Sequence, residues 1–203
     1  MKIVTDKNKL HEVTERIEYI DEGERIAAEL LKTLSNTKTG IGLTANQIGI
    51  NKSVFVVNVK QPLYFINPKI INKSESKVIY KESCLSIPKY IAITKRHTWI
   101  EITADNLDKP IIYGTVDKTY DNLDIDTLLD DIDLLECIAI QHEYDHTQGV
   151  LISDIDLKIK KMPLIVNNKF GRNDKVTVTK DNLFEIIKYK NIDKYINNGW
   201  KLS

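Results

Sequence analysis

Cysteine is nearly missing from this chain: Cys84 and Cys137 are the only two in 203 residues. A disulfide scaffold is therefore excluded, and a reducing cytoplasm is the expected setting. An excess of either charge is missing too. Lys plus Arg number 29 and Asp plus Glu number 29, for a net charge of zero. No global basic field exists to attract nucleic acid, so direct nucleic-acid recognition is not expected. No apolar run is long enough to cross a bilayer, and Met1 to Asp6 do not open an apolar signal segment. No membrane partner is expected either. Internal repeats and low-complexity tracts are absent. Residues 40–49 are rich in small side chains, but no Gly-Lys-Ser/Thr follows them, which excludes a phosphate loop. Seven aspartates lie between 117 and 133, yet the central glycine and closing glutamate of a calcium loop are not in place. They read as a solvated acidic loop leading to a helix start.

What is present is a soluble globular composition, 42% hydrophobic and 29% charged, in a chain long enough for one sizeable core. Ile26, Ala27, Leu30, Leu31 and Leu34 recur at helical spacing and predict a helix over 11–35. Strands are predicted over 53–59 and 63–68, with Pro62 as the interruption, then over 69–80, 91–93, 98–103 and 111–113. A second helix follows the acidic stretch, with Thr127 and Asp130 as its expected cap. Its apolar stripe runs Leu128, Ile132, Leu135, Ala139, His142 and His146, and Gly149 marks its end. Residues 158–203 differ in character. Residues 167–174 read as a linker, 176–179 and 183–189 as strands around a turn at 180–182. Asn191 reads as the cap of a short helix through Ile196, and Gly199 as its end before a last strand. The expected fold class is α+β, with mixed and antiparallel sheets packed around a central His-Glu-x-x-His helix and a small C-terminal ββαβ appendage. The expected domains are 1–157, catalytic, and 158–203, an extension of unknown role.

The chemistry gathers in Gln141-His142-Glu143-Tyr144-Asp145-His146. Four residues of helix turn the chain by about 400°, so His142 and His146 project from one face. Glu143 stands about 100° round the helix, within reach of a metal-bound water. The pattern taken alone also suits two core histidines, or a peptidase of the same helix class. A helix supplies only two ligands this way. Cys84 is the other soft ligand in a turn-like setting, and Cys plus two His leaves the open fourth position that a catalytic metal needs. Cys137 lies off the histidine face and reads as a structural thiol.

Three segments in order resemble the motifs of the peptide deformylase family. They are Gly40-Ile41-Gly42-Leu43-Thr44-Ala45-Asn46-Gln47, Glu82-Ser83-Cys84-Leu85-Ser86, and Gln141-His142-Glu143-Tyr144-Asp145-His146. The resemblance covers roughly 1–157. It implies a hydrolase acting in protein biosynthesis, which removes the formyl group from N-terminal formylmethionine of nascent chains and releases formate. It implies one divalent metal ion on Cys84, His142 and His146, Fe(II) in the cell and exchangeable for Zn, Ni or Co. Glu143 would be the acid–base, with the Gln47 side-chain amide and the Leu85 backbone N–H as oxyanion donors. Gly40, Ile41 and Gly42 would receive the substrate as an added strand. Ile41, Ile138 and His142 would surround the methionine side chain, and Glu82 would contact the substrate; Glu82 and Arg96 read equally as a pair bracing the site or as two exposed charges. Docking at the ribosome and a monomeric state are further expectations.

The chain departs from the family at four places. Thr44 replaces an alanine and would put a hydroxyl beside the substrate strand. Ser83 replaces a glycine and would be strained if that position needs a positive φ, by about 1 kcal/mol. The acidic link over 114–127 looks longer than usual. The C-terminal segment replaces the usual bacterial helix, which suggests a phage-encoded enzyme working in a host cytoplasm. Two alternatives stand beside this reading. A metallopeptidase is disfavoured by Cys84, since those enzymes take a third His or Glu. A non-catalytic homologue that only binds peptide N-termini is disfavoured by the intact set of Cys84, Gln47, Glu143, His142 and His146.

Overall fold

The computed structural model describes residues 2–116, 131–157, 175–180, 183–198 and 200–202. They fall in two compact units, 1–160 and 161–203.

The first unit opens with a short helix, α1 (Lys7–Leu10), capped by the Asp6 carboxylate accepting from the Asn8 N–H. The helix expected over 11–35 starts only at Ile20: α2 spans Ile20–Ser35. Residues 12–19 are held outside it because their backbone groups find other partners. The Thr14 N–H donates to the Thr147 carbonyl, the Glu15 carbonyl accepts from Ser53, and the Ile17 N–H donates to Asn67 Oδ1. Ile17 itself is buried in the core. A segment whose donors are already paired gains nothing by coiling. From Ile20 on, the expected apolar face holds, and Ile26, Ala27, Leu30 and Leu34 pack on a three-stranded sheet.

That sheet is antiparallel, in the order β1 (Gly42–Thr44), β2 (Val54–Asn58), β3 (Pro62–Ile66). Pro62 opens β3 rather than separating it, which suits a residue without an N–H. A second sheet has the order β4 (Lys69–Lys73), β7 (Trp99–Thr103), β8 (Ile111–Gly114). Between β4 and β7 in sequence runs a hairpin of β5 (Lys77–Cys84) and β6 (Ile87–His97).

The helix α3 (Ile132–Thr147) packs against β1 and β2 on one side and β7 and β8 on another, with β6 also in contact. This changes the expected stripe. Ile132 is 49% exposed and Leu135 only half-buried, whereas Leu134, Cys137, Ile138, Ile140 and Gln141 are buried together with both histidines. A helix packed against several strands is buried on more than one face, so a single apolar stripe is not singled out. Asp131 caps it, its carboxylate accepting from the Leu134 N–H at 3.1 Å. The expected cap at Thr127 and Asp130, with Leu128 and the acidic stretch, lies outside the described residues. Gly149 follows the last turn at φ +69, and its N–H closes on the His146 carbonyl. Among the described residues no helix is long and apolar enough to cross a membrane.

The second unit has β9 (Lys175–Lys180), β10 (Leu183–Lys188), α4 (Ile192–Ile196) and β11 (Lys201–Leu202), with strand order β10, β9, β11. The order of elements is the ββαβ expected. Val178 and Ile187 form its core, joined by Ile192, Tyr195 and Trp200. Asn191 sits at the cap position of α4 but makes no side-chain cap bond. The predicted linker over 167–174, the turn residues 181 and 182, and Gly199 lie outside the described residues.

Candidate metal centre

Along β5 exposed and buried residues alternate, so Val78, Tyr80, Glu82 and Cys84 all turn inward. Cys84 is the last residue of the strand, at the tip of the hairpin, opposite Ile87. Its Sγ lies 3.3 Å from His146 Nε2, and the donor atoms of Cys84, His142 and His146 lie within 4.8 Å of one another. A four-coordinate ion with usual metal–sulfur and metal–nitrogen bonds holds its ligands roughly 3.3–3.6 Å apart. One thiol and two imidazoles at this spacing fit a zinc- or iron-like divalent cation and leave a position open.

The candidate ligands are braced from behind. His142 Nδ1 lies 2.8 Å from Glu82 Oε2, which leaves Nε2 for the centre. Arg96 grips the same carboxylate through Nε at 2.6 Å and Nη2 at 2.9 Å, and Thr94 donates to it as well. The third arm of Arg96, Nη1, reaches Asp145 Oδ2 at 2.6 Å. Glu82 and Arg96 are 6% and 4% exposed, so they are a buried pair and not two solvated charges. Burial opposes ionisation of Glu82, but the Arg96 charge and the bonds from His142 and Arg96 outweigh it and hold the carboxyl well below the usual range. Both of its oxygens are engaged, and Glu82 lines the cleft while holding His142 from behind. Burial, with the nearby His142, keeps His146 far below the usual histidine value, in the neutral form that binds a metal.

Glu143 is 4% exposed. Burial pushes its pKa up to about 7, against the opposing charge of His142 and a hydrogen bond from Thr44. Thr44, expected beside a substrate strand, places its hydroxyl under this carboxylate. Its hydroxyl is 2.8 Å from Glu143 Oε2 and 3.0 Å from the Glu143 carbonyl. A Cβ on Gly42 would come within 2.5 Å of Glu143 Oε1, and one on Gly40 within 2.9 Å of Leu85 Cδ1. Gly42 thus makes room for Glu143, and Gly40 for Leu85 together with Thr37 and Leu34.

Gln47 sits in a 3-10 turn over Ala45–Ile48. Its Oε1 accepts from the Thr44 N–H at 2.8 Å, which fixes the amide so that Nε2 faces Ser86 Oγ at 3.1 Å and Cys84 Sγ at 3.5 Å. The Leu85 N–H has no protein partner among the described residues. Ser83 carries no left-handed strain, since Asn67 and Lys89 are the only non-glycine residues at positive φ among those described. Cys137 is buried in the core with its Sγ 3.3 Å from Gln141 Nε2, and burial pushes the thiol up to about 12. An inert packing thiol fits that setting.

A cleft of about 470 Å³ opens over these groups, and Ile41, Gly42, Gln47, Cys84, Leu85, Ile138, His142 and Glu143 all line it. Tyr80 and Leu135 also line it and were not read as site residues in the sequence. They sit at ordinary strand and helix positions with no motif of their own. A larger cavity, about 680 Å³, lies on the Asp145 and Tyr144 side of α3 and holds none of the three ligands.

The chain matches the sequence model of the family described as Polypeptide deformylase over residues 1–161. It is 36% identical to the peptide deformylase of Rhizobium meliloti over 159 residues, covering 75% of this chain and 82% of that protein. Against the peptide deformylase of Pelagibacter ubique the identity is 34%, over 80% of this chain and 90% of the relative. Among solved structures, the peptide deformylase of Synechococcus elongatus in complex with actinonin is similar with a TM-score of 0.61 and 27% identity, covering 77% of this chain and 78% of that one. Peptide deformylase 1B of Arabidopsis thaliana, in complex with an inhibitor, gives 0.61 and 26%, over 76% and 81%.

Proposed function

This chain belongs to the polypeptide deformylase family, and on that premise we propose how its cleft removes the formyl group from N-formylated nascent peptides. The observation that carries the reading is the approach of Cys84, His142 and His146 to one point, with the buried Glu143 next to it.

Cys84, His142 and His146 hold a divalent metal ion, iron(II) in the cell, with zinc, nickel or cobalt as substitutes. When bound, such an ion makes water more acidic and polarises the formyl oxygen. Glu143 takes a proton from the attacking water and passes it to the departing amine as the carbon–nitrogen bond breaks. A carboxylate that titrates near neutrality suits both halves of that transfer. As the formyl carbon becomes tetrahedral, the Gln47 amide and the Leu85 N–H donate to its oxygen. The peptide lies along Gly40, Ile41 and Gly42 as an added strand, and its methionine side chain packs on Ile41 and Ile138. A monomeric state, a cytoplasmic setting, contact with the ribosome and a phage source belong to the same proposal.

The deciding assay follows formate release from formyl-Met-Ala-Ser by anaerobically purified protein, with metal analysis of the same sample. Formate in proportion to bound metal is the expected result. Cleavage of unblocked peptides with no formate would overturn the reading in favour of a peptidase. A second expectation concerns Thr44. Removing its hydroxyl in Thr44→Val leaves one oxygen of a buried carboxylate without a donor. With a bond to a charged group at stake, kcat should fall on the order of tenfold, and Thr44→Ser should restore it. Equal kcat for all three proteins would remove Thr44 from the account.

A further inference from the structure

Two strand edges meet at the cleft. β1 ends one sheet, β5 ends the hairpin, and each has one edge without a partner strand among the described residues. Residues of both edges, Ile41 and Gly42 on one side and Lys81 to Cys84 on the other, line the cleft. A peptide lying there as an added strand sends alternate side chains to opposite faces. With the formyl-methionine side chain turned inward to Ile138, the next residue turns outward. The groups sharing that outer face are read from β5, where Tyr80, Glu82 and Cys84 are buried and Lys81 and Ser83 exposed.

A second cation stands on the same rim. Pairing between β5 and β6 breaks after Ser83: Ser83 faces Ile91 but Cys84 faces Ile87, so Pro88, Lys89 and Tyr90 are extra residues on β6. Lys89 in this bulge has φ +65, a backbone that a non-glycine residue adopts only at a cost. Bulges beside sites re-aim side chains, and Lys89 lines the cleft while staying exposed. Neither lysine has an ion-pair partner among the described residues. The carboxylates that line the same cleft are not free to balance them: Glu82 is bonded to Arg96 and His142, and Glu143 is buried over Thr44. Among the described residues the rim is therefore cationic on the side where the second residue of a substrate would emerge.

We propose that Lys81 and Lys89 select formylated peptides with an acidic residue directly after formyl-methionine. The selection rests on the deformylase reading of the cleft. Opposite charges across neighbouring strands attract and like charges repel, so aspartate at that position is favoured and lysine disfavoured.

The test compares formyl-Met-Asp-Ser, formyl-Met-Ala-Ser and formyl-Met-Lys-Ser, all with amidated C-termini so that no terminal carboxylate competes. The aspartate peptide should show kcat/KM severalfold above the lysine peptide, mainly through KM, and the gap should close as salt is raised. In Lys81→Glu/Lys89→Glu the order should invert, and the single Lys89→Glu serves if the double variant does not fold. Alanine-peptide turnover with aspartate and lysine peptides within twofold overturns the selection and leaves the deformylase reading standing. An aspartate preference that survives the charge reversal assigns it to other residues and also overturns the proposal. No formate from any of the three peptides overturns both.

Discussion

Glu143→Gln should lower kcat by about 10²–10⁴-fold, the usual contribution of a positioned acid–base, and leave the metal content unchanged. Glutamine keeps the length and shape of the side chain, so the narrow space between α3 and Gly42 stays filled as it is now. The Thr44 hydroxyl can still donate to the amide oxygen. What is lost is the ability to take a proton from water. His142, Cys84 and His146 are untouched, so metal analysis of the variant should match the parent. The pH profile follows from the same group. The base is active when ionised, so activity should rise with pH through the Glu143 midpoint. Burial sets that midpoint near 7, and the charge of a bound cation moves it lower. The acid limb of kcat/KM should therefore lie at or below about pH 7 and vanish in Glu143→Gln. Parent-like formate release by this variant would remove Glu143 from the mechanism.

The candidate ligand set and the candidate base stand out in the sequence because each requires a particular side chain. A cysteine in a turn-like setting and two histidines one helical turn apart restrict the chemistry before any fold is known. The reasons behind neighbouring residues were less visible. Gly42 could be read as small, but only the position of α3 shows that the space belongs to Glu143. Thr44 could be read as an added hydroxyl, but its direction depends on a helix 99 residues downstream. Periodicity misplaced the start of α2 because hydrogen bonds with Asn67, Ser53 and Thr147 claim residues 12–19. It also read α3 as a helix with one apolar stripe, although sheets surround it. Long-range pairing of this kind leaves no local mark.

Glu82 and Arg96 illustrate the same limit and carry the largest expected loss of stability. As a sequence, Glu82 precedes the cysteine by two residues and Arg96 lies on a strand, and two exposed charges were as reasonable as a pair. In the fold, Arg96 is enclosed between Glu82 and Asp145, and Glu82 in turn holds His142. Arg96→Leu removes the one cation that compensates both carboxylates. Loss of one partner from a buried ion pair costs about 3–5 kcal/mol, because the remaining charge stays buried and unpaired. The metal-free protein isolates that cost from metal binding. The pH dependence should change with it. In the parent, Glu82 titrates below its unfolded value, so its stabilising contribution is present above the ordinary carboxylate range and is lost as pH falls through the lowered value. In the variant, burial acts without Arg96 and raises the carboxyl, so stability is greater in acid and falls as pH rises past the ordinary range. The gap between the two proteins should widen from pH 4 to pH 8 in urea melts. With Glu82 no longer fixed, His142 loses its orientation, and metal affinity should drop roughly 10–100-fold. Equal stability of the two proteins at both pH values, with equal metal affinity, would show that the Glu82–Arg96–Asp145 cluster does not hold the centre in place.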